Sequence, residues 1–275
     1  MRIDLHSHTT ASDGRTPPRE LVRLAKAARL DILAVTDHDC VDAIGECLEE
    51  GKAVGVRVVP GIEMSARFEG ESVHILGLGL NWRSPGLLRT LEGIKERRLK
   101  RVGEICAALG KLGVALKEED VLAEAKGKSV GRKHVAQALV KKGLVPSEQE
   151  AFNRWLGSGG PADVVVHEMP PQEAATLIRG EGGVAVLAHP GFFDDDSRVE
   201  RILDAAPAIR GIEVWHRYDS PRKHLRYLEV ARRRDLKATG GSDFHGDEHR
   251  HNGGLGGFLT PLECWKNLAF AFDTQ

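Results

Sequence analysis

Histidine and carboxylate residues recur along this chain in short blocks, spaced as metal ligands are. The first block, Ile3-Asp4-Leu5-His6-Ser7-His8, alternates apolar and ionisable residues. Alternate side chains of an extended strand share a face, so Asp4, His6 and His8 point together and two imidazoles can meet one ion. Thr36-Asp37-His38-Asp39 follows the apolar run Ile32-Leu33-Ala34-Val35. Three ionisable groups there are not core filling, because burying unpaired charge is costly. Further blocks are Pro60-Gly61-Ile62-Glu63, Val73-His74-Ile75-Leu76, Ala188-His189-Pro190, the segment from Glu213 to His216, and Gly241-Ser242-Asp243-Phe244-His245. His6, His8, Asp13, His38, Glu63, His74, His189, Asp243 and His245 make nine potential ligands. Nine are too many for one ion and suit two or three. Imidazole and carboxylate without thiolate fit Mn, Fe or Zn rather than a structural cysteine-type zinc site.

These blocks need strands to position them. The candidates are Ile3–Leu5, Ile32–Thr36, Val56–Pro60, Val73–Leu78, Val184–Ala188, Gly211–Trp215 and Ala238–Gly240. Several are apolar throughout, as strands buried on both faces are. Helical patterns alternate with them, opened by Pro17-Pro18, Pro170-Pro171 and Pro221. The alternation predicts a parallel α/β architecture. Nearly every strand carries an ionisable residue at its C-terminal end, where barrel enzymes assemble their sites from many strands.

The chain has 275 residues, 41% hydrophobic and 29% charged, enough for a buried core. No apolar run approaches the ~18 residues of a membrane helix. The opening MRIDLHSH lacks the basic and then apolar stretch of an export signal. The four cysteines contain no Cys-x-x-Cys pair, so a cytoplasmic protein with reduced thiols is expected. Nothing calls for an obligate protein partner. The regular strand spacing breaks once, between Leu78 and Val184, where helices are expected over 86–112, 118–125, 132–142 and 147–156. Residues 98–167 are read as a small helical domain inserted into a barrel formed by 1–97 and 168–275. Residues 95–145 hold 13 Lys and Arg against 6 Asp and Glu, so a net charge of −1 conceals a basic insertion and an acidic remainder.

In this order, HSHTTASDG, TDHD, PGIE, VHILG, AHP and GSDFH resemble the polymerase and histidinol phosphatase (PHP) family over nearly the full chain. The resemblance implies a distorted (β/α)7 barrel holding a metal cluster for phosphoester hydrolysis. It implies one metal bound by His6, His8, Glu63 and Asp243, and a second by Glu63, His74 and His189, with Glu63 bridging. A third position would use Asp13, His38 and His245, though many members have a histidine where Asp13 stands. The segments GRKHVAQALVKKGLV and AFNRWLGSGGPADV resemble the insertion of the nucleoside 3′,5′-bisphosphate phosphatase and 5′–3′ exonuclease branch. There the wording is closer to Gly-Arg-Pro-His, with a lysine in the later Gly-x-Pro stretch; this chain has Lys133 and Gly160 at those places. Arg132 and His134 match and are assigned to phosphate, the guanidinium as a planar fork and the imidazole as a protonated neighbour.

The resemblance thus implies a small anionic nucleotide substrate, a nucleoside 3′,5′-bisphosphate losing its 3′-phosphate. Asp13, His38, Glu63, His189 and His245 would stand at the reacting centre. Two or three divalent ions are expected, manganese favoured, two of them roughly 3.5–4 Å apart to clamp the attacking and leaving oxygens. Exonucleolytic action on short 5′-phosphorylated RNA or DNA is the alternative, and a non-catalytic metal-binding scaffold a further one. His167, His224, His249 and His251 are read as surface residues. Trp215, His216, Phe192 and Phe193 either line a base or sugar pocket or pack. Gly253 to Gly257 lacks a following Lys-Ser/Thr and reads as a flexible loop.

Overall fold

The computed structural model describes residues 1–275 apart from 126–128, 158, 165–167, 194, 196, 218–219, 247–253 and 270–275. Seven strands lie side by side in chain order: β1 (Ile3–Asp4), β2 (Ile32–Val35), β3 (Arg57–Phe68), β4 (Glu71–Leu78), β5 (Val184–Leu187), β6 (Gly211–Trp215) and β7 (Lys237–Gly240). The Leu5 N–H donates to the Gly240 carbonyl at 3.2 Å and Ser7 bridges to Phe244, which nearly closes the sheet into a barrel. The α/β barrel expected from the sequence is therefore present, with one correction. β4 runs antiparallel to both β3 and β5, while the other pairs are parallel. β3 does not stop at Pro60; it continues to Phe68, turns through Glu69 and Gly70, both at positive φ, and returns directly as β4. His74 pairs with Ser65, two residues past Glu63. The reversal explains why His74, near the start of its strand, joins blocks that lie at the ends of the others.

Side-chain alternation divides the sheet between two cores. Ile32, Ala34, Leu76, Leu78 and Val186 fill the barrel interior with Ile3, Leu5 and Trp265. Leu33 and Val35 face outward to Leu21, Val22 and Ala25 of α1 (Pro18–Ala27) and Cys47 of α2 (Ile44–Val54).

The 27-residue helix α3 (Pro85–Lys111) leaves the barrel and enters the insertion without a break. Its first half packs Leu87, Leu91 and Ile94 into the barrel's outer core. Its second half places Val102, Ile105 and Leu109 in a separate core. That core is completed by α4 (Glu118–Glu124), α5 (Arg132–Lys141), α6 (Glu148–Ala151) and a π-helical turn over Phe152–Leu156. The change of core falls within one continuous helix. Helices α7 (Pro171–Gly180), α8 (Ser197–Ala205) and α9 (Pro221–Arg233) return to the barrel wall, and α10 (Leu262–Ala269) follows β7.

Candidate metal centre and anion cavity

The strand ends bring the ionisable blocks together around Glu63. Its Oε2 lies 3.2 Å from His6 Nε2, 3.1 Å from His8 Nε2 and 3.1 Å from His38 Nδ1. Its Oε1 lies 2.9 Å from both His74 Nδ1 and His189 Nε2. Asp243 Oδ1 is 3.1 Å from His8 Nε2 and 3.4 Å from His6 Nε2. On the other side, Asp13 Oδ1 is 3.2 Å from His245 Nε2, with His8 and His38 at 3.8 and 3.9 Å. All nine sequence-derived candidates converge. Eight of them form overlapping groups whose donor atoms lie within 4.8 Å of one another: His6, His8, Glu63 and Asp243; His38, Glu63 and His74; His8, Asp13, His38 and His245. His189 joins through Glu63 Oε1.

This donor set fits divalent ions. His6 Nε2, both ring nitrogens of His8, His38 Nδ1, Glu63 Oε2 and Asp13 Oδ1 are buried without a hydrogen-bond partner among the described residues. Buried polar atoms are otherwise nearly always satisfied, so such a convergence of imidazole and carboxylate donors is one that could bind a cation. Burial alone would raise the Glu63 carboxyl, but His38, His74 and His6 outweigh it and hold it well below the usual carboxylate range. Asp13 and Asp243 are depressed in the same way, each against its own burial, with His245 the leading opposing charge. Burial pushes His38 down to about 3. His8, where burial is outweighed by Asp243 and Glu63, rises to about 9.

The cluster is held by residues behind it. Glu213 accepts from or pairs with His6 Nδ1 at 3.2 Å and accepts the His189 N–H at 2.7 Å. Arg217 donates to Asp243 Oδ2 at 2.7 Å. Asp37 accepts from the Thr9 N–H and hydroxyl and from the Ser12 hydroxyl, fixing the loop that carries Asp13. Asp4, although on the histidine face, is a brace: it accepts the Ser242 and Gly256 N–H groups. Asp39, His189 and Asp243 adopt positive φ, a strain tolerated where the surroundings fix the backbone. Gly241 is required by close approach, because a Cβ there would lie 2.4 Å from that of His6. Glu213 stood in one of the strand-end blocks but was not counted among the nine candidate ligands. Its signal was a lone carboxylate between the buried Ile212 and Val214 of β6.

A cavity of about 360 Å³ opens beside Asp13, His38 and His74, and its far wall belongs to the insertion. Arg98, Arg101, Arg132 and Lys133 line it. Arg98 donates to Asp39, to Ser65 Oγ at 2.8 Å and to the Val130 carbonyl at 3.1 Å. Arg101 donates to Glu168 at 3.2 Å, yet its Nε and one terminal nitrogen are buried without a hydrogen-bond partner among the described residues. Arg132 donates to the Leu156 carbonyl at 3.2 Å and to Asp163 at 3.4 Å. His134 departs from the expectation of a protonated phosphate contact. Its Nδ1 accepts the Gly131 N–H at 3.1 Å, capping α5, and burial pushes its pKa down. The positive charge expected of it is carried instead by Lys133, Arg98 and Arg101, which the sequence reading did not single out.

The PHP domain family pattern matches residues 4–143, just over half of the chain. A 3′,5′-nucleoside bisphosphate phosphatase of Chromobacterium violaceum is 34% identical over 97% of this chain and 96% of its own length. The chain belongs to the PHP family. A 5′–3′ exoribonuclease of Haemophilus influenzae is 35% identical over 89% of this chain and 90% of its own. A solved structure from Chromobacterium violaceum, described as an amidohydrolase with bound sulfate and no metal, superposes with a TM-score of 0.88 at 32% identity. It covers 98% of this chain and 97% of that one. As a PHP protein the chain is a metal-dependent phosphoesterase, a hydrolase.

The remaining candidates of this PHP chain divide. His216 is fully buried, 3.6 Å from Asp243, and belongs to the cluster's surroundings. Phe193 is buried under the Arg198 guanidinium and packs, whereas Phe192 is exposed at the cluster's mouth, its ring edge-on to His189. Trp215 packs against the outer core. His224, expected at the surface, is half-buried against the backbone of His216. His167, His249, His251 and Gly253 lie outside the described residues. The rest of the glycine stretch is tied down, Gly256 to Asp4 and Gly257 to Gly254. Among the described residues, no helix is long and apolar enough to cross a membrane.

Proposed function

We propose that this protein removes the 3′-phosphate of a nucleoside 3′,5′-bisphosphate, leaving a 5′-mononucleotide. The observation that carries this reading is Arg101, a part-buried guanidinium with two buried nitrogens that make no hydrogen bond among the described residues, in the same cavity as Asp13, His38 and His74. One wall suits cations and the other suits an anion, so a substrate with two phosphates can address both. The C. violaceum relative supports it.

His6, His8, Glu63 and Asp243 would hold one ion, Glu63, His74 and His189 a second, and Asp13, His38 and His245 a third. Two or three divalent ions, with manganese first among Mn, Fe and Zn, would polarise a phosphoryl oxygen and acidify water. The protein's own part is positioning. Arg101 and Arg132 would take the distal phosphate through planar N–H pairs, and Arg98, held by Asp39, would add charge behind them. The exposed Phe192 ring stands where a base or sugar could rest against it. The basic insertion would act as a lid that draws in an anionic nucleotide.

The second reading, 5′–3′ exonuclease action on short 5′-phosphorylated RNA or DNA, is favoured by the H. influenzae relative. The same arginine wall would then anchor a 5′-phosphate. An assay that reads both inorganic phosphate and liberated 5′-mononucleotide, comparing 3′,5′-bisphosphonucleosides with 5′-phosphorylated dinucleotides, each with Mn, Fe, Zn and Mg, separates the two. Higher kcat/KM on the bisphosphonucleoside is expected. Preference for the dinucleotide selects the exonuclease, and no turnover of either overturns both.

A further inference from the structure

Two of the cluster carboxylate and imidazole ligands have side-chain braces from within the barrel. His6 leans on Glu213, and Asp243 is held by Arg217. Asp13 is braced from the insertion. The Lys133 ammonium lies 3.2 Å from Asp13 Oδ2 and donates to the Asp13 main-chain carbonyl at 3.0 Å. One cation therefore bridges the side chain and the backbone of the same residue, which fixes the carboxylate relative to its own main chain. Oδ1 is left directed at His245, His8 and His38. Gly14, next in the chain, passes so close to His8 that a Cβ there would lie 2.7 Å from the His8 carbonyl carbon. Ser12, on the other side, is tied to Asp37. The lysine thus bears on the torsions that orient the Asp13 carboxylate.

We propose that Lys133 is a positioning residue for the ion held by Asp13, His38 and His245, so that docking of the insertion and loading of that ion are coupled. The proposal rests on the reading that this cluster binds metal. A partner behind a ligand orients it, and its loss weakens metal binding by about 10- to 100-fold. Lys133 comes from the first turn of α5, on the insertion. Withdrawing the insertion removes that orientation, and an ion that fixes Asp13 in turn favours the docked insertion, because coupling between two binding events is reciprocal. The Glu148–Arg15 pair at 2.8 Å and the Ser129 N–H to Ala11 carbonyl bond hold the same two bodies together beside Lys133.

The test is manganese titration of the full chain, by calorimetry and by metal content after dialysis, for wild type, Lys133→Gln and Lys133→Arg. Hydrogen exchange over residues 129–141, with and without manganese, accompanies it. Lys133→Gln is expected to lower the affinity of the most weakly held ion about tenfold or more, with the other ions unchanged. Lys133→Arg should restore most of it. Manganese should slow exchange over α5 in wild type and have a smaller effect in Lys133→Gln. Equal affinities in wild type and Lys133→Gln, or tighter binding in the variant, overturn the positioning role while leaving the metal centre standing. Absence of bound manganese in every protein overturns the metal centre itself, and the proposal with it.

Discussion

The barrel and the insertion meet at one cavity but build their walls by opposite means. The barrel side combines loops after short strands with Glu63 and His74 from within the β3–β4 hairpin, some of its backbone at positive φ and its ligand atoms left without hydrogen-bond partners among the described residues. Its residues are mutually repulsive in part, and they stay together because Glu213, Asp37, Asp4 and Arg217 fix them from behind. The insertion side is a helix stripe. Leu87, Leu91, Ile94, Arg98, Arg101, Ile105 and Leu109 recur every three or four residues along α3, and the two arginines take the place of apolar residues where the stripe faces the cavity. The difference follows from what each wall must recognise. Ions demand several donors set within tenths of an ångström, whereas a phosphate accepts cations from several directions.

The sharpest way to break the comparison is to remove the residue that both oxygens make central. Glu63→Ala should lower kcat/KM for phosphate release by at least about 10³-fold, a loss of several kcal/mol in transition-state stabilisation. Its metal content should fall while its circular dichroism is retained. Near-wild-type turnover would show that the barrel wall is not organised around Glu63.

The next largest effect is expected where the two regions are stitched together. Asp39 is buried, and burial alone would raise its pKa, but Arg98 overcomes this and holds it below its ordinary value. Asp39→Asn leaves the guanidinium with Ser65 and the Val130 carbonyl, and should cost about 3 kcal/mol. That corresponds to a lower Tm by about 6 °C or more, read by thermal unfolding. The sign with pH follows from the direction of the shift. A depressed carboxyl contributes fully above its unfolded value near 3.9, and the contribution is lost as pH falls through the lower folded value. The wild type should therefore destabilise more steeply in acid than Asp39→Asn. Parallel acid profiles would mean that the pair does not anchor α3.

How much of this was legible in the sequence differs between the walls for the same reason. The barrel ligands stood out because ionisable residues directly after buried apolar runs violate the ordinary cost of burial. His38 after Ile32–Val35 is the clearest case, and all nine candidates proved adjacent. β4 was placed, but its direction was hidden. Glu63, Ser65 and Arg67 interrupt the apolar run, so β3 read as ending at Pro60, and the Glu69-Gly70 turn was not recognised as a hairpin. On the insertion side charge was legible and direction was not. In a stretch holding Lys95, Arg97, Arg98, Lys100 and Arg101, only alignment with the apolar stripe shows which two face inward. His134 lines the cavity, while its Nδ1 also caps the helix end, a local use of a polar side chain that a motif match cannot reveal.

Glu213 tests whether the barrel wall depends on its supports as much as on its ligands. Glu213→Gln keeps the shape but weakens its hold on His6 and on the His189 N–H. Metal affinity should fall by about 10- to 100-fold, with kcat at saturating metal changed far less. Calorimetric titration with manganese measures the first and steady-state phosphate release the second. Unchanged affinity would make the strand-end ligands self-sufficient.

The smallest effect is expected on the insertion wall. Arg132 already spends one nitrogen on the Leu156 carbonyl and Asp163, both within the insertion, so only part of its donor set is available to a phosphate. A charge-assisted hydrogen bond contributes about 1.5–3 kcal/mol, and a shared guanidinium belongs at the low end. Arg132→Ala should therefore raise KM for a 3′,5′-bisphosphonucleoside about tenfold and leave kcat within about twofold, the pattern of lost ground-state binding. A substrate with a single phosphate cannot reach both walls, so its KM should barely move. If kcat falls instead and KM holds, Arg132 touches the reacting phosphoryl group. The insertion would then share in the chemistry, and the division between a wall that holds ions and a wall that holds the substrate's second charge would be wrong.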